Sequence, residues 1–128
     1  MHPNAYIVPM PWDIDLTEVA PWLETLNEKD YENVMAAIYA LEVDGPALGR
    51  PFVDQIKSSR HKNMKELIPP GKNLRLLFAF DPNRHAIFFV AGEKTHQWEK
   101  WYEVNVPIAD KKFDAHLKNI EKRKNRNG

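Results

Sequence analysis

A chain of 128 residues with 43% hydrophobic and 28% charged residues has the size and composition of one soluble domain around a single core. It has no cysteine, which excludes disulfide and thiolate chemistry, and 18 Lys and Arg against 18 Asp and Glu leave no net charge for gripping nucleic acid by charge alone. That charge is segregated, however. Asp13, Asp15, Glu18, Glu24, Glu28, Asp30 and Glu32 face Lys29 alone, whereas Lys57, Arg60, Lys62, Lys65, Lys72 and Arg75 face Glu66 alone, with His61 in addition. Such asymmetry bears on partners rather than on fold. Met1 to Met10 has neither a basic n-region nor an apolar h-region, so no signal peptide is expected. No apolar run approaches the roughly 20 residues of a membrane helix.

Trp12 to Leu16 alternates Trp12, Ile14 and Leu16 with Asp13 and Asp15, the pattern of a half-buried strand. Thr17 is placed to cap a short helix carrying Val19, Trp22, Leu23 and Leu26, with Pro21 in its first turn. Asn27 followed by Asp30 marks a second helix start, and Tyr31, Val34, Met35, Ile38 and Leu41 recur at helical spacing until Gly45-Pro46. Ala47 to Arg60 reads as a connecting loop. Asn63 to Ile68 is strand-like, Pro69 to Lys72 is a turn, and Leu74 to Phe80 is a strand with Leu74, Leu76 and Phe78 on one face and Arg75, Leu77 and Ala79 on the other. Asp81-Pro82-Asn83-Arg84 closes a hairpin onto a strand from Ala86 to Ala91, which Gly92 lets the chain leave. Thr95 is placed to cap a helix with Trp98, Trp101 and Tyr102, Pro107 is expected to interrupt it, and Ala109, Phe113, Leu117 and Ile120 form the stripe of a last helix. The tail from Glu121 to Gly128 is basic and expected to be frayed. The order β-α-α-β-β-β-α-α predicts an α+β fold of one domain over 1–128, with 1–11 an N-terminal extension and 121–128 a basic tail.

Several chemistries are set aside by what is missing. There is no Gly-rich phosphate loop, no H-E-x-x-H and no G-x-S-x-G, and His2, His61, His85, His96 and His116 lack metal-ligand spacing. What remains is a basic set around the three C-terminal strands: Arg60, His61, Lys62, Lys65, Arg75, Lys94 and His96. Lys65 and Arg75 are expected on neighbouring antiparallel strands, and Lys94 and His96 directly follow the last one, so three segments can aim cations at one concave surface. Cleavage of RNA without a metal needs such cations at the phosphate, plus a proton acceptor and a donor. Each residue also has an ordinary explanation. A strand Lys or Arg is commonly solvated or ion-paired, histidines sit on many surfaces, and Trp98, Trp101 and Tyr102 can be core as readily as base-stacking platforms.

Taken in order, several stretches make the chain resemble the RelE-superfamily toxins, in particular their phage-derived HigB-like branch. They are Gly45-Pro46-Ala47-Leu48-Gly49-Arg50-Pro51, Ser59-Arg60-His61-Lys62-Asn63-Met64-Lys65-Glu66-Leu67, Leu74-Arg75-Leu76-Leu77-Phe78-Ala79-Phe80-Asp81-Pro82, Ala91-Gly92-Glu93-Lys94 and Pro107-Ile108-Ala109-Asp110. The resemblance runs roughly from Trp12 to Leu117 and rests on order and spacing rather than on one diagnostic motif. It implies a microbial-RNase-like α+β fold with a small, mostly antiparallel sheet packed against N-terminal and C-terminal helices. It also implies a cytoplasmic, metal-independent and cofactor-free endoribonuclease that cuts messenger RNA on the ribosome by attack of the 2′-hydroxyl. The implied partners are a cognate antitoxin of helix-turn-helix type, the ribosome and messenger RNA, with operator DNA reached only through the antitoxin and no membrane involved. By the same resemblance Lys65 would accept the 2′-hydroxyl proton or neutralise phosphate, Arg75 would clamp phosphate, and Lys94 or His96 would be the acid. Arg60, His61 and Lys62 would bind RNA. The chain departs from the RelE pattern in having no tyrosine directly after the last strand; Tyr102 stands further along the helix. Two other readings share the fold: a ParE-type toxin that binds DNA gyrase, and a catalytically inactive regulator that only binds its antitoxin.

Overall fold

The computed structural model describes residues 11–71, 73–94 and 97–127, apart from the side chains of Trp98 and Asn127. The expected roles of His96 and of a Thr95 cap, and nearly all of the 1–11 extension, lie outside the described residues. Nine elements follow in chain order, one of them a single 3-10 turn. They are β1 (Asp13–Asp15), α1 (Ala20–Leu23), α2 (Glu28–Asp44), a 3-10 turn at Gly45–Ala47, β2 (Val53–Gln55), β3 (Met64–Leu67), β4 (Leu74–Phe80), β5 (His85–Glu93) and α3 (Trp98–Asn127). The five strands form one sheet in the order β1-β5-β4-β3-β2, in which only the β1–β5 pair is parallel. Helices cover both faces. This is the expected α+β architecture.

The elements form for local reasons. The Asn27 side chain accepts the Asp30 N–H at 2.8 Å and Glu28 and Asp30 sit in the first turn, so α2 starts with its amides and dipole satisfied. Its buried stripe of Val34, Ala37, Ile38 and Leu41 lies on Leu67, Leu74, Leu76, Phe78 and Phe88 of the sheet, each large aliphatic contributing about 1.5–3 kcal/mol by burial. The other face carries Met64, Leu77, Ala79, Ile87 and Phe89 against Val106, Ala109 and Phe113 of α3. A bulge between Leu77 and Phe78 in the pairing with β5 opposes Leu77 to Val90 and Phe78 to Phe88. Phe89 is the extra residue, and it joins Val90 on the α3 side.

Four local expectations are corrected. Thr17 does not cap α1: the cap is Val19, without a side-chain hydrogen bond, and the Thr17 amide instead donates to Asp15 Oδ1 at 2.9 Å in a turn. The 47–60 segment is not all loop, because Val53–Gln55 adds an edge strand pairing Val53 with Leu67. With three residues and one inward side chain, no alternation could announce it. Gly92 does not release the chain but stays inside β5, where a Cβ would stand 3.0 Å from Trp101 Nε1. Its bareness lets the indole lie on the strand. Pro107 does not break the last helix, which runs unbroken from Trp98 to Asn127. The buried stripe of Val106, Ala109 and Phe113 continues past it, and that burial outweighs the roughly 3 kcal/mol an interior proline costs. No helix among the described residues is long and apolar enough to cross a membrane.

Candidate active site

Strand alternation decides which basic residues can meet. Glu66 pairs with Leu77 and Lys65 with Phe78 across β3 and β4, and paired residues project from the same face. Glu66 therefore shares the α3 side with Arg75 and Leu77, while Lys65 projects toward the opposite side. The expectation that Lys65 and Arg75 aim at one surface is corrected here: neighbouring strands are not enough, because the register puts them a half-period apart.

What converges with Arg75 is a mixed-charge cluster. Arg75 Nε lies 3.4 Å from Glu66 Oε1, and both side chains are largely buried. The Tyr102 hydroxyl donates to the same Glu66 oxygen at 2.6 Å, and Lys94 Nζ donates to that hydroxyl at 3.0 Å while lying 4.9 Å from the centre of the phenol ring. Arg75 Nη1 also donates to the Leu74 carbonyl at 2.7 Å, which fixes the guanidinium at the end of β4. Lys94 is seated where β5 leaves the sheet, its amide donating to the Asn73 carbonyl at 2.6 Å. Four groups from β3, β4, the end of β5 and α3 thus touch in series.

Burial pushes the Lys94 ammonium down to a pKa of about 8, with Arg75 adding repulsion and Glu66 partly opposing both. Burial, together with the hydrogen bond to Glu66, drives the Tyr102 phenol well above its usual range, so it remains a donor at any physiological pH. The cluster contains a buried carboxylate that can accept a proton, an ammonium that can release one near neutrality, and a permanent cation with a planar fork suited to two phosphate oxygens. It opens on a cleft of about 500 Å³ lined by Gln55, Ile56, Lys57, Ser58, Glu66 and Tyr102, among others.

The remaining sequence-predicted cations belong elsewhere. Ser59 donates to Asp110 Oδ1 at 2.5 Å, the Arg60 amide donates to Asp110 Oδ2 at 3.2 Å, and the Arg60 guanidinium donates to Asp114 Oδ2 at 2.6 Å. His61 Nε2 lies 2.7 Å from Asp114 Oδ1, with its ring edge-on to Phe113 at 4.7 Å. These contacts fasten the loop before β3 onto α3, about two to three turns beyond Tyr102 and so roughly 12 to 18 Å along the helix. The Asp114 carboxyl is held below the usual carboxylate range by Arg60 first and His61 second. Lys62 is exposed, and Lys62 and Lys65 line a second hollow with His61, Pro46 and Phe80.

Two cluster members were not singled out as site residues from the sequence. Glu66 stood out only as the lone acid in the basic run, and Tyr102 looked too remote from the last strand. The signal for Tyr102 was its spacing: one turn before Val106 on the buried stripe, it must lie over the sheet if α3 is continuous.

The match to known proteins covers this cluster. The family described as phage derived protein Gp49-like matches residues 21–114. The chain is 47% identical over 113 residues, 86% of its own length, to a Mycobacterium tuberculosis (strain ATCC 25618 / H37Rv) protein named "Putative toxin HigB2", of which it spans 56%. It is also 47% identical over 102 residues to "Putative toxin HigB3" of the same organism, covering 80% of this chain and 90% of that relative.

Proposed function

Because the chain belongs to the phage-derived Gp49-like family and is a HigB-like toxin of a toxin–antitoxin system, we propose that it acts as a metal-independent endoribonuclease on messenger RNA held by the ribosome. The observation that carries this reading is the contiguous series Arg75–Glu66–Tyr102–Lys94, of which Glu66 and Tyr102 line a cleft. In-line attack of a ribose 2′-hydroxyl on the adjacent phosphorus forms the 2′-O–P bond and breaks the P–O5′ bond. Glu66 takes the 2′-hydroxyl proton, and Lys94 delivers a proton to the departing 5′-oxygen. Arg75 offsets charge on the five-coordinate phosphorus, and Tyr102 holds Glu66 and Lys94 in register. The products are a 2′,3′-cyclic phosphate and a free 5′-hydroxyl. Lys62 and Lys65, on the second hollow, track the RNA backbone beyond the scissile bond. The cognate antitoxin is the partner that restrains this activity, and the site of action is the cytoplasm, where ribosomes are.

Primer extension on transcripts from cells induced for the protein tests the reading. Discrete breaks in register with codons are expected, and they should vanish in Glu66→Gln and in Arg75→Ala chains that keep their circular dichroism and antitoxin binding. Intact transcripts in growth-arrested cells would overturn the nuclease reading; a block in DNA replication would then point to a gyrase-binding toxin. No growth arrest at all would leave a silent regulator.

A further inference from the structure

Strand β5 changes phase part-way along, and the change decides what reaches the cluster. Ala86 and Phe88 lie in the α2 layer, whereas Ile87 and Phe89 pack toward α3. Unbroken alternation from Phe88 would carry Ala91 and Glu93 to the α3 side and turn Gly92 and Lys94 toward α2. The bulge takes up Phe89 without advancing the register, since Leu77 pairs with Val90 and Phe78 with Phe88. Gly92 consequently stands opposite Arg75, and Lys94 Nζ comes within 3.0 Å of the Tyr102 hydroxyl. The uninterrupted phase would set Ala91 opposite Arg75. Its methyl would then press on the Trp101 indole, whose Nε1 stands 3.0 Å from where a Cβ on Gly92 would lie.

One polar side chain fastens the bulge. Lys112 Nζ, on α3, donates to the Phe89 carbonyl at 3.1 Å and to Glu18 Oε1 at 2.8 Å, so three segments meet at the extra residue. β1 pairs with β5 only as far as Asp15 and Ile87, which leaves no strand beside Phe89 on that edge among the described residues. The Lys112 and Glu18 side chains are partly exposed, and such an ion pair by itself contributes little. A cation on a main-chain carbonyl at a break in the ladder is the stronger contact.

We propose that Lys112 is a positioning residue for the cluster: its bond to Phe89 holds the bulge, and the bulge holds Lys94 on the face of Arg75, Glu66 and Tyr102. Lys112 lies about 15 Å beyond Tyr102 along α3, too far to touch the reacting groups itself. The inference rests on the ribonuclease reading only for its effect on cleavage; its structural half is measured without RNA.

NMR titration of Lys94 in the full chain, with isotope-labelled lysines, tests it. In the parent Lys94 faces Glu66, Arg75 and Tyr102 and should titrate near 8. Lys112→Met keeps the stem at a partly exposed position but removes the donor. Lys94 should then leave its buried seat beside Arg75, and its midpoint should rise by about one unit or more, a ten-fold gain in proton affinity. Direct loss of a screened cation about 15 Å away accounts for roughly a few tenths of a unit at most. The through-space NMR contact between the Lys94 chain and the Tyr102 ring should fade as well. Lys112→Arg should restore both signals, and Glu18→Gln should leave both near the parent, because the carbonyl bond remains. A Lys112→Met chain with the parent's midpoint and contact, however its Tm has moved, would overturn the role and leave Lys112 a tie between α3 and the segment after β1. Cleavage is the second readout: kcat should fall with KM kept, and the alkaline limb of the pH profile should climb with the Lys94 midpoint. A raised KM with kcat kept would make Lys112 a contact for RNA and refute the role. Lys94 moving as expected in a chain that cuts nothing refutes the nuclease and leaves the role. Cleavage with Lys94 unmoved refutes the role and leaves the nuclease.

Discussion

Replacing Lys94 by methionine should make the protein more stable and inactive at once. Lys94 is only 4% exposed, and burial with Arg75 nearby lowers its pKa from 10.5 to about 8. The unfolded chain therefore holds that proton more tightly than the folded one. The resulting penalty on the fold is full below pH 8, shrinks as the pH rises, and is gone above pH 10.5. At pH 7 the difference corresponds to about 3 kcal/mol. Methionine keeps an unbranched apolar stem but loses the contact of the ammonium with the Tyr102 ring and hydroxyl, which returns about 1 kcal/mol. A net gain of about 2 kcal/mol remains, or roughly 6 °C in Tm for a domain of this size. Urea unfolding followed by tryptophan fluorescence, on both chains at pH 7 and at pH 10.5, measures it. Tyrosine ionisation in the unfolded state is common to both chains and cancels in the difference. Equal stability at pH 7, or a gain undiminished at pH 10.5, would refute the electrostatic reasoning. Loss of transcript cleavage in the stabilised chain would show a group retained for chemistry at the fold's expense.

Other perturbations follow from the same geometry. Gly45 has φ +57°, and a Cβ there would lie 2.2 Å from Trp12 Nε1; Gly45→Ala should cost about 3 kcal/mol, part backbone strain and part displaced indole. In a Trp12→Ala background only the strain should remain, so a double-mutant cycle showing no coupling would contradict the contact. Asp81 is a buried carboxylate: burial raises its pKa, but His116 and the amides of His85 and Asn83 outweigh that and leave it lowered. Its contribution is full above the ordinary aspartate range and is lost as pH falls through the lowered folded value. Asp81→Asn should cost about 2 kcal/mol at pH 7, and the cost should fade in acid; an equal cost at pH 7 and pH 3 would count against it. Pro107→Ala should restore an N–H to the Glu103 carbonyl and raise Tm by several degrees, to be read by calorimetry, whereas a fall would mean the helix is shaped around the proline.

Much of this molecule was open to reading in one dimension. Hydrophobic spacing in α2, the Asn27 cap, the turn chemistry at 81–84 and the two faces of β4 follow from properties a residue carries with it or shares with near neighbours. Hence Arg75 was placed on the correct face. The segment Val53–Gln55 was illegible because its strand character comes from pairing with β3, not from its own three residues. Pro107 misled because local propensity argues for a break, while the deciding term, burial of Val106, Ala109 and Phe113 on the sheet, is tertiary.

The site shows the same division. The sequence by itself determined an inventory: cations but no thiol, an α+β order of elements, and Arg75 set opposite the main core. Which of those groups touch was decided only when β3 and β4 took their register and α3 ran unbroken. Register put Glu66 rather than Lys65 beside Arg75, and a continuous helix carried Tyr102 back over the sheet to join Lys94 to Glu66. The physical reason is range: alternation and capping act within a few residues, whereas a proton path needs atoms about 3 Å apart that the chain separates by up to 36 positions.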